Sequence, residues 1–219
     1  MDSLVNMEEV RLTVARTARV FCIGPPAASA TKVLYALHGY GQLPQFFLRK
    51  FEPLAEAGWT VVAPEGLHRF YTEGTSGRVG ASWMTREDRA QDIADYLAYL
   101  GQVQEQFPAP AGARSVLLGF SQGVATAARW AAAGGGPFER LILWAGVFPP
   151  DVDLGPDAAA LRPLPIDCVL GDADPFFGEG LLDETDARFR EAGLTVRTTR
   201  FSGGHAICPT TLVRLLGGV

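Results

Sequence analysis

Ser115-Val116-Leu117-Leu118-Gly119-Phe120-Ser121-Gln122-Gly123-Val124 is the stretch whose reading decides the fold. An apolar run leads straight into a serine, glycines stand two residues before and after it, and an alanine-rich segment fills residues 124–133. The apolar run predicts a buried strand and the alanine run a helix, with Ser121 in the turn between them. Side chains at 119 and 123 would collide across so tight a turn, hence two glycines. The turn lifts the hydroxyl clear of the sheet and sets it at a helix N-terminus, where backbone N–H groups can meet negative charge developing on an oxygen. G-x-S-x-G arises by chance in glycine-rich turns; the strand–turn–helix context marks this one as a nucleophile elbow.

Outward from the elbow, apolar runs and helical patterns alternate. Residues 33–37, 60–63, 116–118, 141–143, 168–170 and 196–201 read as strands. Phe47, Leu48, Phe51, Leu54 and Ala55 recur at helical spacing, as do Ile93, Tyr96, Leu97 and Leu100, residues 181–192, and Leu212, Val213, Leu215 and Leu216. Residues 10–14 and 19–23 alternate like an opening hairpin. Glycine-rich residues 65–82 lack a helical period and read as a long functional loop, and Thr85 with Asp88 reads as a capping box. Strands separated by helices require a mostly parallel central sheet with helices on both faces, an α/β fold. No repeat or linker divides the chain, so residues 1–219 read as one domain.

The composition excludes several classes. A net charge of −5 without a Lys/Arg cluster argues against a nucleic-acid partner. Three scattered cysteines, Cys22, Cys168 and Cys208, suit a reducing compartment. Neither a secretory signal nor an apolar stretch fit for membrane insertion is evident, and the expected location is cytoplasmic. His38, His68 and His205 share no ligand spacing and Asp172/Asp174 lacks the other oxygens of a calcium loop, so no metal and no cofactor is expected.

A serine hydroxyl needs a base at hydrogen-bond distance and a third group to orient that base. His205, in Gly203-Gly204-His205-Ala206, is the only histidine after Ser121. The acid lies in Gly171-Asp172-Ala173-Asp174-Pro175, at the carboxyl end of a strand, where such sites are built. Either carboxylate could serve. Asp174 is further round the turn and precedes the rigid Pro175, whereas Asp172 suits a turn-forming role. The N–H groups of Gln122 and of Tyr40, in Leu37-His38-Gly39-Tyr40-Gly41, are the expected oxyanion donors. His38 precedes the serine and is expected to organise that loop.

Together, Leu37-His38-Gly39-Tyr40-Gly41, Gly119-Phe120-Ser121-Gln122-Gly123, Gly171-Asp172-Ala173-Asp174-Pro175 and Gly204-His205 resemble the carboxylesterase/phospholipase family of α/β-hydrolases, which includes the acyl-protein thioesterases. The resemblance spans residues 33–216, and G-F-S-Q-G is the form typical of that family. It implies Ser121 as nucleophile, Asp174 as orienting acid, His205 as base, and Tyr40 and Gln122 as oxyanion donors. Residues 64–71 and 77–84 resemble a bacterial branch more than the thioesterases.

The expected activity is that of a serine carboxylesterase hydrolysing small to medium acyl esters through an acyl-enzyme, with a small-molecule ester as partner. The same triad would serve an acyl thioesterase or a lysophospholipase, and a hydrolase fold can also persist as a non-catalytic ligand-binding protein. The aromatic and sulfur side chains of Phe70, Tyr71, Trp83, Met84, Phe148, Phe176 and Phe177, together with Tyr40, are the expected pocket. Arg69, Arg78 and Arg86 could meet an anionic group. No long helical insert follows the strand at residues 141–143, so no large lid is expected.

Overall fold

The computed structural model describes residues 7–155, 158–176 and 181–217. Seven strands form the central sheet: β1 (Val20–Ile23), β2 (Lys32–Leu37), β3 (Thr60–Pro64), β6 (Arg114–Phe120), β7 (Arg140–Trp144), β8 (Ile166–Gly171) and β9 (Val196–Phe201). A separate two-stranded ribbon consists of β4 (His68–Glu73) and β5 (Ser76–Ser82). The sheet order is β1-β3-β2-β6-β7-β8-β9, parallel throughout except for β1, which runs antiparallel to β3 at the edge. Residues alternate across a strand. Val33, Tyr35 and Leu37 therefore enter one core, while Leu34 and Ala36 enter another on the opposite face.

Helices cover both faces. Against the first core lie α3 (Arg89–Gln106), through Tyr96, Tyr99, Leu100 and Val103, and α4 (Gln122–Ala132), through Val124, Ala127, Ala128 and Ala131. Phe189 of α6 (Leu181–Glu191) and Leu161 of α5 (Ala158–Leu161) join them. The second core takes Phe47 of α1 (Pro44–Phe47), Leu54 of α2 (Glu52–Glu56) and Leu212 and Leu216 of α7 (Pro209–Leu216). The doubly covered, mostly parallel sheet is the expected α/β architecture, and no large lid stands among the described residues.

Four local expectations are corrected. The helix expected around Phe47 to Ala55 is broken into α1, a tight turn over Leu48–Phe51, and α2. Pro53 lacks an N–H and its ring would clash with the preceding turn, so the chain restarts there. The apolar residues still share one buried side. Residues 65–82 are not an open loop: His68 pairs with Ser82 and Phe70 with Gly80 in the ribbon. The signal was a period of two, visible in the alternating burial of β4. Residues 10–14 form no hairpin with β1; β1 pairs instead with β3, and Val10, Leu12 and Val14 are exposed. Finally, Thr85 and Asp88 make no capping box. Asp88 precedes α3 in a left-handed conformation without a side-chain cap, its carboxylate engaged by Arg11, while Thr85 Oγ1 accepts the N–H of Glu87.

Candidate active site

Ser121 sits between β6 and α4 with φ 53° and ψ −117°, a strained conformation for a side chain with a Cβ. The surroundings dictate the flanking glycines. A Cβ on Gly119 would lie 2.2 Å from the carbonyl oxygen of Gly123, and one on Gly123 would lie 2.3 Å from that of Leu37. Parallel pairing of β6, β7, β8 and β9 brings their carboxyl ends to one rim, where the loops after β8 and β9 meet the elbow.

There His205 Nε2 stands 2.9 Å from Ser121 Oγ, and its Nδ1 2.8 Å from Asp174 Oδ2. The carboxylate of Asp174 is buried, and its second oxygen accepts the N–H of Phe176 at 3.0 Å. A carboxylate accepts, so Nδ1 carries the proton and Nε2 is left to accept from the serine hydroxyl. Asp172 turns elsewhere, accepting the N–H of Gly203 at 2.9 Å and so tying the β8 loop to the β9 loop. The histidine loop is further fixed by Trp144 Nε1–H donating to Ala206 O at 2.9 Å. The rings of Phe120 and Phe176 flank the imidazole at 5.1 and 4.7 Å.

The turn after β2 is held on both sides of Tyr40. Gly39 N–H donates to Gln42 Oε1 at 2.9 Å and Gly41 N–H to Ala81 O at 2.8 Å. Among the described residues the N–H of Tyr40 has no protein acceptor. Ala81 N–H returns a bond to Gln42 O at 3.2 Å, so the turn is laced to β5. Gly80 permits that approach: a Cβ there would lie 2.5 Å from Gly41 O. The N–H of Gln122 is the first of α4, and helix-initial N–H groups have no intrahelical partner.

His38 organises this turn from below. It is fully buried; Gly66 N–H donates to its Nε2 at 2.9 Å, so Nδ1–H donates to Gly39 O at 2.7 Å. Burial lowers its pKa from 6.5 to about 4, keeping the ring neutral as that pattern requires.

The cleft beside Ser121 has a volume of about 360 Å³. Of the expected pocket residues, Met84 and Phe176 line it. Trp83 and Phe148 do not: both are buried in the core. Trp83 lies against the His38 ring at 5.1 Å and donates Nε1–H to His38 O at 2.8 Å, while Phe148 meets Phe189 edge-on at 4.7 Å. An aromatic that follows a strand can turn into the sheet as readily as away from it. Phe70 stacks on Tyr40 at 4.9 Å and Tyr71 is exposed, both on the ribbon rather than in the cleft wall. Phe177 lies outside the described residues. Arg69 pairs with Glu65, and Arg78 and Arg86 are exposed; none lines the cleft.

Two features escape the sequence reading. The side chain of Gln122 is spent on structure: Oε1 accepts Trp83 N–H at 3.1 Å and Nε2 donates to Met84 O at 2.8 Å. Arg129 is the second. Gln122, Ala125, Thr126 and Arg129 line the cleft at helical spacing, and Arg129 is buried. Its Nε and Nη2 each donate to Asp151 at 2.8 Å, and Nη1 donates to Tyr96 Oη at 3.0 Å. Those bonds from Arg129, with the further pairing of Arg89, hold the Asp151 carboxyl well below the usual carboxylate range. Among the described residues no group of His, Cys, Asp and Glu is arranged to hold a metal ion, and no helix is long and apolar enough to cross a membrane.

A serine, imidazole and carboxylate in line at the carboxyl rim of such a sheet can be set beside known sequences. Residues 19–210 match the dienelactone hydrolase family. The chain belongs to that family. Membership places it among hydrolases and accords with its α/β-hydrolase fold. The structure is similar to that of esterase PE8 (20% identity, TM-score 0.71, covering 92% of this chain and 99% of that one). It is also similar to Zea mays acyl-protein thioesterase 2 (18% identity, TM-score 0.69, 92% and 97%) and a carboxylesterase from Mesorhizobium loti (17% identity, TM-score 0.70, 92% and 94%). At such identities the likeness is one of fold. A comparison with curated proteins gives no match.

Proposed function

We propose that this family member is a serine carboxylesterase that hydrolyses small to medium acyl esters through an acyl-enzyme intermediate. One observation carries the reading: the continuous relay from Ser121 Oγ through His205 to Asp174, at 2.9 and 2.8 Å. His205 Nε2 takes the Ser121 proton as Oγ attacks the ester carbonyl carbon. The carbonyl electron pair moves onto oxygen, which the N–H groups of Tyr40 and Gln122 receive. Collapse expels the alkoxide, protonated by His205, and leaves the acyl group on Ser121. Water then attacks that ester, giving its proton to His205, and the carboxylic acid departs as the proton returns to Ser121 Oγ.

A cleft of about 360 Å³ favours compact substrates over lipid aggregates. The esterase and carboxylesterase names of the structural neighbours agree with ester chemistry. We read the chain as one domain working in the cytoplasm, where its free thiols would stay reduced.

The test is turnover of p-nitrophenyl acetate with fluorophosphonate labelling. Wild type should turn over the ester and label once, at Ser121, and Ser121→Ala should do neither. Near wild-type hydrolysis by Ser121→Ala would refute the mechanism, and absence of both signals in wild type would favour a ligand-binding role. Matched ester and thioester series of increasing acyl length would separate a carboxylesterase from a thioesterase.

A further inference from the structure

The chain from residue 7 to residue 19 runs without helix, turn or bend, and as an extended strand it would set its side chains alternately on two sides. Glu9, Arg11 and Thr13 share one side; Glu8, Val10, Leu12, Val14 and Arg16 share the other. Arg11 pairs with Glu9 on its own side at 2.8 Å and grips both oxygens of Asp88 at 3.1 Å, fastening that side to the body of the protein. Residues 7–17 are all exposed, the apolar ones among them, with Val10 69%, Leu12 80% and Val14 77% exposed. Among the described residues no backbone hydrogen bond engages residues 8–16. An apolar stripe beside unpaired backbone is the physical condition for strand addition.

The order of side chains along the stripe specifies what fits it. Laid antiparallel against a second copy of itself and centred on Leu12, the segment sets Leu12 opposite Leu12, Val10 opposite Val14, and Glu8 opposite Arg16. Along the stripe each cross-strand pair is then apolar with apolar or acid with base, the combinations that stabilise a sheet. A slip of one residue would face the stripe with the opposite side of its partner, and a slip of two would set either Glu8 or Arg16 opposite valine. Neither Glu8 nor Arg16 forms an ion pair with another described residue. The arrangement is isologous about a twofold axis, so it closes at two copies.

The geometry points to the segment from Glu8 to Arg16 as a homodimerisation strand whose partner is the same segment of a second molecule. The paired area is small, so association is concentration-dependent, at about micromolar protein. None of residues 8–16 lines the cleft beside Ser121, and the inference stands whatever the enzyme's substrate.

Sedimentation velocity of the full chain across that concentration range tests it. Wild type should shift from monomer to dimer, and Leu12→Lys should stay monomeric. Glu8→Arg and Arg16→Glu should each weaken association roughly tenfold, because either one places like charges opposite each other twice per dimer. The Glu8→Arg/Arg16→Glu double variant should restore wild-type association, which no merely structural role for either residue would produce. In a Cys22→Ser background, Leu12→Cys should form a disulfide-linked dimer on mild oxidation, since directly opposed Cα atoms lie within disulfide reach. Circular dichroism and thermal melts report that each variant is folded. A wild type that stays monomeric throughout, a dimer that survives Leu12→Lys, or a double variant no better than the singles would overturn the proposal. Ester turnover measured on the same samples should not change, so a failed dimer test and a failed esterase test are read separately.

Discussion

Asp174 Oδ2 lies 2.8 Å from His205 Nδ1, whereas Asp172, two residues earlier on the same loop, accepts the N–H of Gly203. Neighbouring carboxylates on one turn therefore do different work. Asp174→Asn should cost about 10⁴-fold in kcat, because an amide can stabilise the wrong imidazole tautomer and cannot balance the imidazolium charge. Asp172→Asn keeps an oxygen acceptor and should stay within about tenfold of wild type. Steady-state hydrolysis of p-nitrophenyl acetate distinguishes them; equal losses would remove Asp174 from its assigned role.

His38 gives stability a pH dependence of known sign. Its folded pKa of about 4 lies below the unfolded 6.5, so between those values the unfolded chain binds the extra proton. Stability from the neutral, buried ring is full above pH 6.5 and is lost as pH falls towards 4. The loss is on the order of 3 kcal/mol across that window. Urea denaturation midpoints at neutral pH and near the lower limit should show it, and His38→Gln should show a smaller difference while being less stable at neutral pH.

Gln122 joins the start of α4 to the backbone of Trp83 and Met84. Gln122→Ala keeps the backbone N–H but leaves Trp83 N–H without this acceptor. Stability should fall by about 1–3 kcal/mol. Hydrolysis should slow by about tenfold through kcat, since a loosened first turn misplaces the donor. Melts and a kcat/KM separation check both; an unchanged kcat would show that the N–H is positioned without the side chain.

Arg129 and Asp151 form the ion pair at the cleft wall. Arg129→Met strands Asp151 with Arg89 alone and leaves Tyr96 Oη without its donor. A buried pair broken on one side costs about 3–5 kcal/mol. Asp151 is one-third exposed, so a loss of about 2 kcal/mol is expected here. Asp151→Leu added to Arg129→Met should recover part of it. Denaturant unfolding of both variants gives the measurement.

The arrangement of Ser121, His205 and Asp174 was legible because its signals are local and few. A serine between two glycines after an apolar run has one geometry, and His205 is the only imidazole downstream. The choice of Asp174 over Asp172 agrees with the geometry, although two carboxylates on one turn look alike until the β9 loop is in place. What stayed hidden depends on neighbours distant in sequence. Trp83 and Phe148 follow strands, as pocket residues do, but the packing of His38 and Phe189 draws them inward. Arg129 interrupts an alanine-rich helix, and its purpose appears only once Asp151 and Tyr96 come alongside. The ribbon was missed because its glycines mask a period of two. Residues 10–14 alternate in sequence as a strand should, yet no described strand pairs with them through its backbone.

The lacing of Gly41 to Ala81 has an architectural consequence. One end of the ribbon is stitched to the turn bearing Tyr40, while the other, at Gly74 and Thr75, points into solvent. Variation can act on the two ends separately. Lengthening the free tip leaves the turn bearing Tyr40 in place, so that is where a reporter or a grafted loop belongs.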